Sequence, residues 1–273
     1  MLFGKKICSK CGSSYDIVDS TCPACHERDE NFESLGIPKH IIWLPIYKQL
    51  LLFVIGLIGL QLLGILAELA ILPFKSSFSE VGMTMFINGV RYIGVAIGMG
   101  LLIWNQWPRF KNHFNKAFPY LIGLAGGAAV ITAQVFINLI TNAIYPTPVN
   151  ENQTVVNSVI DAFPILSIFL LGIIGPVVEE FTYRLGLFSF LCRVKKWVAY
   201  LVTTLVFAFI HFDFFAGSAD AYIVELINLP SYLAAGFLFC LWYEKFGLAS
   251  SITAHCTNNL YSILMFFLLK LIK

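Results

Sequence analysis

The chain has 273 residues, 58% of them hydrophobic and only 12% charged, with a formal net charge of +2 and a mean hydropathy of +0.77. That balance lies far outside the soluble globular range and describes a polytopic membrane protein. The 18 basic residues are scattered over short connecting segments instead of one patch, which argues against nucleic acid or a strongly anionic ligand as partner.

The first 30 residues hold Cys8, Cys11, Cys22 and Cys25, two C-x-x-C pairs ten residues apart. Cys-Ser-Lys-Cys-Gly and Cys-Pro-Ala-Cys-His each read as a tight turn presenting two thiolates to one tetrahedral ion, so residues 1–30 are expected to form a structural zinc ribbon. Four sulfurs leave no open coordination position, and His26 is a neighbour rather than a ligand. A metal-free disulfide framework is the alternative and would require an oxidising compartment. Cys192, Cys240 and Cys256 lie in apolar segments and read as small buried hydrophobes. No secretory signal is expected, because the start is polar and the first apolar stretch is long enough to anchor.

Residues 31–40 are polar, include Gly36 and Pro38, and read as a linker to a membrane domain over 41–273. Apolar runs at about 46–72, 84–104, 118–145, 164–192, 196–213, 222–243 and 247–271 predict about seven transmembrane helices, an all-α polytopic fold. With the N-terminus in the cytoplasm, that side carries 13 of the loop Lys and Arg residues against 3 on the other. The bias fits the positive-inside rule and keeps the thiols reduced. Among polar residues inside the spans, Asn88, Gln134 and Asn138 read as interhelical hydrogen-bond formers, and Glu68 as lying near a helix end. Arg91 and Glu225 are costly enough to call for a buried pair or a wet cavity.

The segment Gly175-Pro176-Val177-Val178-Glu179-Glu180-Phe181-Thr182-Tyr183-Arg184 places two carboxylates and a guanidinium inside a long apolar run. Each charge costs roughly 3 kcal/mol at mid-membrane depth. Glu180 and Arg184, four apart, share a helix face and can pair; Glu179 points about 100° away, and nothing local neutralises it. Pro176 cannot donate to the carbonyl of Gly172 and is expected to open the helix just before the carboxylates. The plainer reading is that Glu180 and Arg184 only lock two helices together. Two more polar clusters follow: His211, after Phe207, and His255-Cys256-Thr257-Asn258-Asn259, in which His255 and Asn259 share a face. Counted from Lys195, Glu179 and His211 stand at similar depth, whereas His255, counted from Lys245 on the same side, comes out about 9 Å shallower. A carboxylate, two imidazoles and an amide suit hydrolysis, with the carboxylate as general base and the donors on an oxyanion. The same groups also suit a zinc-bound hydroxide.

These three clusters, in this order on successive helices, resemble the motifs of the CAAX prenyl protease and bacteriocin-processing family, also called the abortive-infection family. The flanking Gly175-Pro176-Val177-Val178, Ala234-Ala235-Gly236 and Leu248-Ala249-Ser250-Ser251-Ile252 agree, and the resemblance covers about 163–261. Tyr183 and Leu185 depart from the residues usual there. The resemblance implies an intramembrane endopeptidase in which Glu179 and His211 activate water, His255 and Asn259 form the oxyanion site, and Glu180, Arg184 and Phe207 support them. It implies a glutamate peptidase without catalytic metal in preference to a metalloprotease, and a membrane-associated peptide substrate, prenylated or of the leader type. Ribbon fusion points to a bacterial plasma membrane, with the ribbon recruiting a protein partner. A non-catalytic bacteriocin-immunity scaffold and a transporter or proton relay are the competing functions.

Overall fold

The computed structural model describes residues 5–16, 21–27, 37–38, 40–146 and 150–272. It is an all-α bundle preceded by a small thiol-rich module. In that module β1 (Lys5–Ile7) pairs antiparallel with β2 (Ser14–Asp16), Lys6 facing Tyr15. Most of the expected linker lies outside the described residues.

The helices are α1 (Ile46–Ser77), α2 (Glu80–Lys111), α3 (Phe118–Ile144), α4 (Glu151–Ala162), α5 (Pro164–Cys192), α6 (Lys196–Phe209), α7 (Ala219–Phe246) and α8 (Leu248–Ile272). Among the described residues six helices are long and apolar enough to cross a bilayer, which makes the chain an integral membrane protein. On α1 the exposed Ile58, Leu62, Ile65 and Leu69 recur every three or four residues, a stripe that meets lipid. The fifth apolar run is only a 14-residue helix, α6. At 1.5 Å per residue it reaches about 21 Å, short of a hydrocarbon core of about 30 Å, because the chain turns at Ile210 and His211 before the polar Asp213. Between α3 and α5, where only a loop was expected, lies α4, capped by Asn150 Oδ1 accepting from the Gln153 amide at 3.0 Å.

The bundle is built around α5. Phe181–Phe188 are all buried, and α5 touches α1, α2, α6, α7 and α8. Close approach explains one glycine: a Cβ on Gly186 would stand 2.8 Å from the Phe53 nitrogen of α1. Gly247, at φ +87°, is the whole turn between α7 and α8, in a left-handed conformation that other residues rarely adopt. At that end of the bundle Arg193 donates to the carbonyls of Ile42 and Leu44 and to Gln49. The segment before α1 is thereby drawn in, with Ile41, Ile42 and Leu44 buried.

Candidate functional site

In the N-terminal module the two C-x-x-C turns are built alike. Gly12 donates to the Cys8 carbonyl at 2.9 Å and His26 to that of Cys22 at 2.8 Å, and both residues are left-handed, at φ 72° and 59°. Cys8 and Cys22 donate in turn to Ser13 and Glu27. The four sulfurs all lie within 4.8 Å of one another, with Cys8–Cys25 and Cys11–Cys22 at 3.5 Å. A tetrahedral ion with bonds of about 2.3 Å to sulfur needs edges of about 3.8 Å, so the four thiols fit a structural metal.

The membrane site is organised by the backbone of α5. Two π-helical segments, Leu170–Ile174 and Phe181–Phe188, flank the α-helical turn Gly175–Glu180 that carries the carboxylates. Such wide turns concentrate at functional sites. In the first, Gly175 donates to Leu170, five residues back. In that register the next carbonyl, that of Leu171, looks toward Pro176, which has no N–H. Asn259 of α8 supplies the missing donor, its Nδ2 standing 3.0 Å from the Leu171 oxygen. The helix therefore opens at Pro176 as expected, but the carbonyl that gains an outside partner is Leu171, not Gly172.

Arg184 lies 3.0 Å from Glu180, both side chains fully buried. Its second amino group donates to the Gly236 carbonyl at 3.3 Å, and the guanidinium lies over the rings of Phe207 and Phe239, 4.6 and 5.2 Å from their centroids. Glu180 also accepts from His255 Nδ1 at 2.9 Å, leaving His255 Nε2 3.7 Å from Glu179. The pair is thus more than a lock between helices, since it also fixes an imidazole beside the second carboxylate. His255 stacks on Phe239 at 4.4 Å. The shallow depth computed for His255 is overturned: Lys195 lies outside the helix, and the π-helical turns of α5 hold more residues per turn and so advance less.

His211 sits just beyond the end of α6. Its Nδ1 donates to the Phe207 carbonyl at 2.8 Å, which places the ring's acceptor at Nε2, and the ring stacks on Tyr232 at 4.7 Å. His211 and Glu179 line one cavity of about 560 Å³, with Asn258, Asn259 and Tyr92. Tyr92 of α2 stands beside Glu179, its ring within 3.7 Å of where a Cβ on Gly175 would be. Tyr92, Tyr232 and the amides of α4 carried no sequence signal strong enough to place them here. The polar run Asn150–Asn157 was the available hint. Arg91 and Glu225 form no pair with each other. Arg91 donates to the Leu60 carbonyl at 3.0 Å, and Glu225 accepts from the Asp213 amide at 3.3 Å and from Asn150 at 3.5 Å. Asn138 forms the expected interhelical bond, accepting from Ser231 at 2.6 Å.

Residues 161–261 match the family of type II CAAX prenyl endopeptidases, Rce1-like. The Rce1-like region takes in the carboxylates, Arg184, both histidines and Asn259, while Tyr92 and nearly all of α4 lie outside it. The chain is also 27% identical over 155 residues to UPF0177 protein YvdC of Lactococcus lactis subsp. lactis (strain IL1403). That alignment covers 57% of this chain and 56% of the relative, so the two are compared over little more than half their lengths. No solved structure matches the chain.

Proposed function

We propose that the protein is an intramembrane endopeptidase that hydrolyses a peptide bond of a membrane-associated peptide with water activated by Glu179. One observation carries this reading: Glu179 faces the same cavity as His211, while His255 is held between Glu179 and Glu180. Water held by His211 Nε2 would lose its proton to Glu179 as it attacks the scissile carbonyl, and Glu179 would return the proton to the leaving amine. The remaining N–H of Asn259 would face the oxyanion, and His255, whose Nδ1–H is given to Glu180, would donate there through Nε2 with both ring nitrogens protonated. Glu180, Arg184 and Phe207 act through His255 and the packing around it.

A catalytic zinc would need three protein ligands beside its open position. Among the described residues the four ribbon thiols are the one set of three or more potential ligands close enough to converge. This favours the glutamate mechanism over a metal-bound hydroxide. In the N-terminal module zinc is the ion that the four thiolates suit, over residues 1–30, with 41–273 as the protease domain and the ribbon recruiting a protein partner. The 13 to 3 bias of basic residues supports a cytoplasmic N-terminus, and the ribbon fusion a bacterial plasma membrane.

The test is cleavage of a panel of quenched fluorescent peptides, prenylated and plain, by full-length protein in detergent. Glu179→Gln is expected to lose at least about 1,000-fold in rate, and a chelator to leave the rate unchanged. Equal cleavage by Glu179→Gln would remove Glu179 from the mechanism, and loss under chelator in a Cys11→Ser variant as well, whose four-thiol set is broken, would restore a metal in the membrane site. Retained bacteriocin resistance in Glu179→Gln cells would favour an immunity scaffold.

A further inference from the structure

His211 stands in a turn, so the helical repeat that aims Glu179 and His255 does not fix where its ring points. The chain tightens as α6 ends: the amides of His211 and Phe212 donate three residues back, to Ala208 and Phe209, at 3.1 and 3.2 Å. The Phe207 carbonyl, passed over by that tighter turn, accepts from His211 Nδ1 instead. Two residues further on the chain turns again, with Asp213 Oδ1 accepting from the Phe215 amide at 2.8 Å. One side-chain bond sets the tautomer of the ring but leaves its plane and the backbone beneath it to be held from elsewhere.

The support comes from α7. Glu225, Tyr232 and Phe239 are spaced seven apart and share a face of that helix. Phe239 backs His255, the ring centroids 4.4 Å apart. Tyr232 does the same for His211, its ring 4.7 Å away and inclined by only 15°. Glu225 is 4% exposed and lies about 9 Å along α7 from its start. It accepts from the Asp213 amide at 3.3 Å, two residues past His211. Asn150, the N-cap of α4, reaches both residues, its Nδ2 lying 3.5 Å from Glu225 Oε2 and 3.4 Å from the Tyr232 hydroxyl. A carboxylate buried in a membrane bundle is costly. This one is directed at the turn that carries His211 and at the start of α4.

We propose, on the reading of this site as a peptidase, that Glu225 is a positioning residue for His211 and acts together with the Tyr232 ring. Glu225 holds the backbone of the turn through the Asp213 amide, and Tyr232 holds the plane of the imidazole, so that Nε2 stays toward the cavity shared with Glu179.

The experiment measures kcat and KM of full-length Glu225→Leu and Glu225→Gln on a peptide that the wild type cleaves, at a temperature where each variant is folded. Leucine leaves the Asp213 amide without its acceptor, and kcat is expected to fall about ten- to a hundred-fold with KM within about three-fold of wild type. Glutamine still presents an acceptor oxygen and is expected to restore kcat to within about three-fold of wild type. A merely structural role would lower Tm and leave the kcat of the folded protein unchanged. Should the leucine variant not fold, Glu225→Asp, one methylene too short to reach, carries the same expectation. Magnetic resonance of protein isotope-labelled at the nitrogens of its five histidines reads the ring directly, with His211 assigned by its loss in His211→Ala. The His211 Nε2 signal is expected to shift or split in Glu225→Leu and to stay in place in Glu225→Gln. An unchanged kcat in the leucine variant, a fall that glutamine does not recover, or an unmoved His211 signal would overturn the inference with the peptidase reading intact. If the wild type cleaves no peptide the peptidase reading fails, and the His211 signal alone decides whether Glu225 positions the ring.

Discussion

Arg184→Met isolates the charge at the centre of the bundle. Methionine keeps a flexible apolar stem of similar reach, but removes the cation 3.0 Å from Glu180 and its stacking over Phe207 and Phe239. Breaking a fully buried pair from one side costs about 3–5 kcal/mol. Glu180 has an escape, since protonating a carboxyl with an ordinary pKa of about 4.3 at pH 7 costs about 3.7 kcal/mol. That caps the ionic part, and the lost ring contacts add about 0.5–2 kcal/mol. The sum is about 3.5–5.7 kcal/mol, and for a chain of this size each kcal/mol shifts Tm by about 2–4 °C, so the expected loss is about 7–23 °C. Thermal unfolding in detergent followed by tryptophan fluorescence reads it. The double variant Arg184→Met/Glu180→Gln removes the stranded charge while the glutamine oxygen still accepts from His255, and should regain about 2 kcal/mol over the single variant. A single variant within 3 °C of wild type, by the same scaling, or a double variant less stable than the single, would refute the argument.

Asn259→Ala strands the Leu171 carbonyl, so stability should fall by about 1–3 kcal/mol. Asn259→Ser, too short to reach across, should fall nearly as far in the same unfolding assay. In the N-terminal module, Cys11→Ser or Cys22→Ser should abolish the binding of one metal ion per chain, measured by elemental analysis of the dialysed protein. His26→Gly should keep it, because glycine adopts the same left-handed turn at no cost. Outside the membrane, burial pushes His113 down to about 4, with the nearby His40 adding to the effect, and the ring packs on Trp43 at 4.9 Å. A depressed histidine contributes stability that is full above its unfolded value of about 6.5 and is lost as pH falls toward 4. Allowing for partial exposure, the loss at pH 5 is about 1 kcal/mol. The drop in Tm between pH 7 and pH 5 should therefore shrink in His113→Phe, and an unchanged drop would place the titration elsewhere.

Much of the architecture was legible because the bilayer leaves few choices. An apolar run of about 20 residues must satisfy its own backbone as a helix, and two C-x-x-C turns ten residues apart announce four converging thiols. Run length overstated α6, since hydropathy does not register where the chain turns at His211. The helix α4 was invisible to hydropathy for the opposite reason: it is too polar to register as a span, although Gln153 and Asn157 line the cavity. Its start at Asn150 was nonetheless encoded as a cap.

Spacing along one helix pairs Glu180 with Arg184 and separates Glu179 from both, because the helical repeat is fixed. Composition likewise determines that these charges sit in a membrane-embedded bundle, with Glu179, His211, His255 and Asn259 as candidates for the chemistry. Tertiary structure alone decided that His255 bridges the two carboxylates, that Asn259 completes the carbonyl opposite Pro176, and that Tyr92 and the amides of α4 wall the same cavity. Those contacts depend on the depth and rotation of separate helices. Both are set by packing details such as the π-helical turns of α5 and the single-residue turn at Gly247, which small local changes in backbone register control and hydrophobic pattern does not.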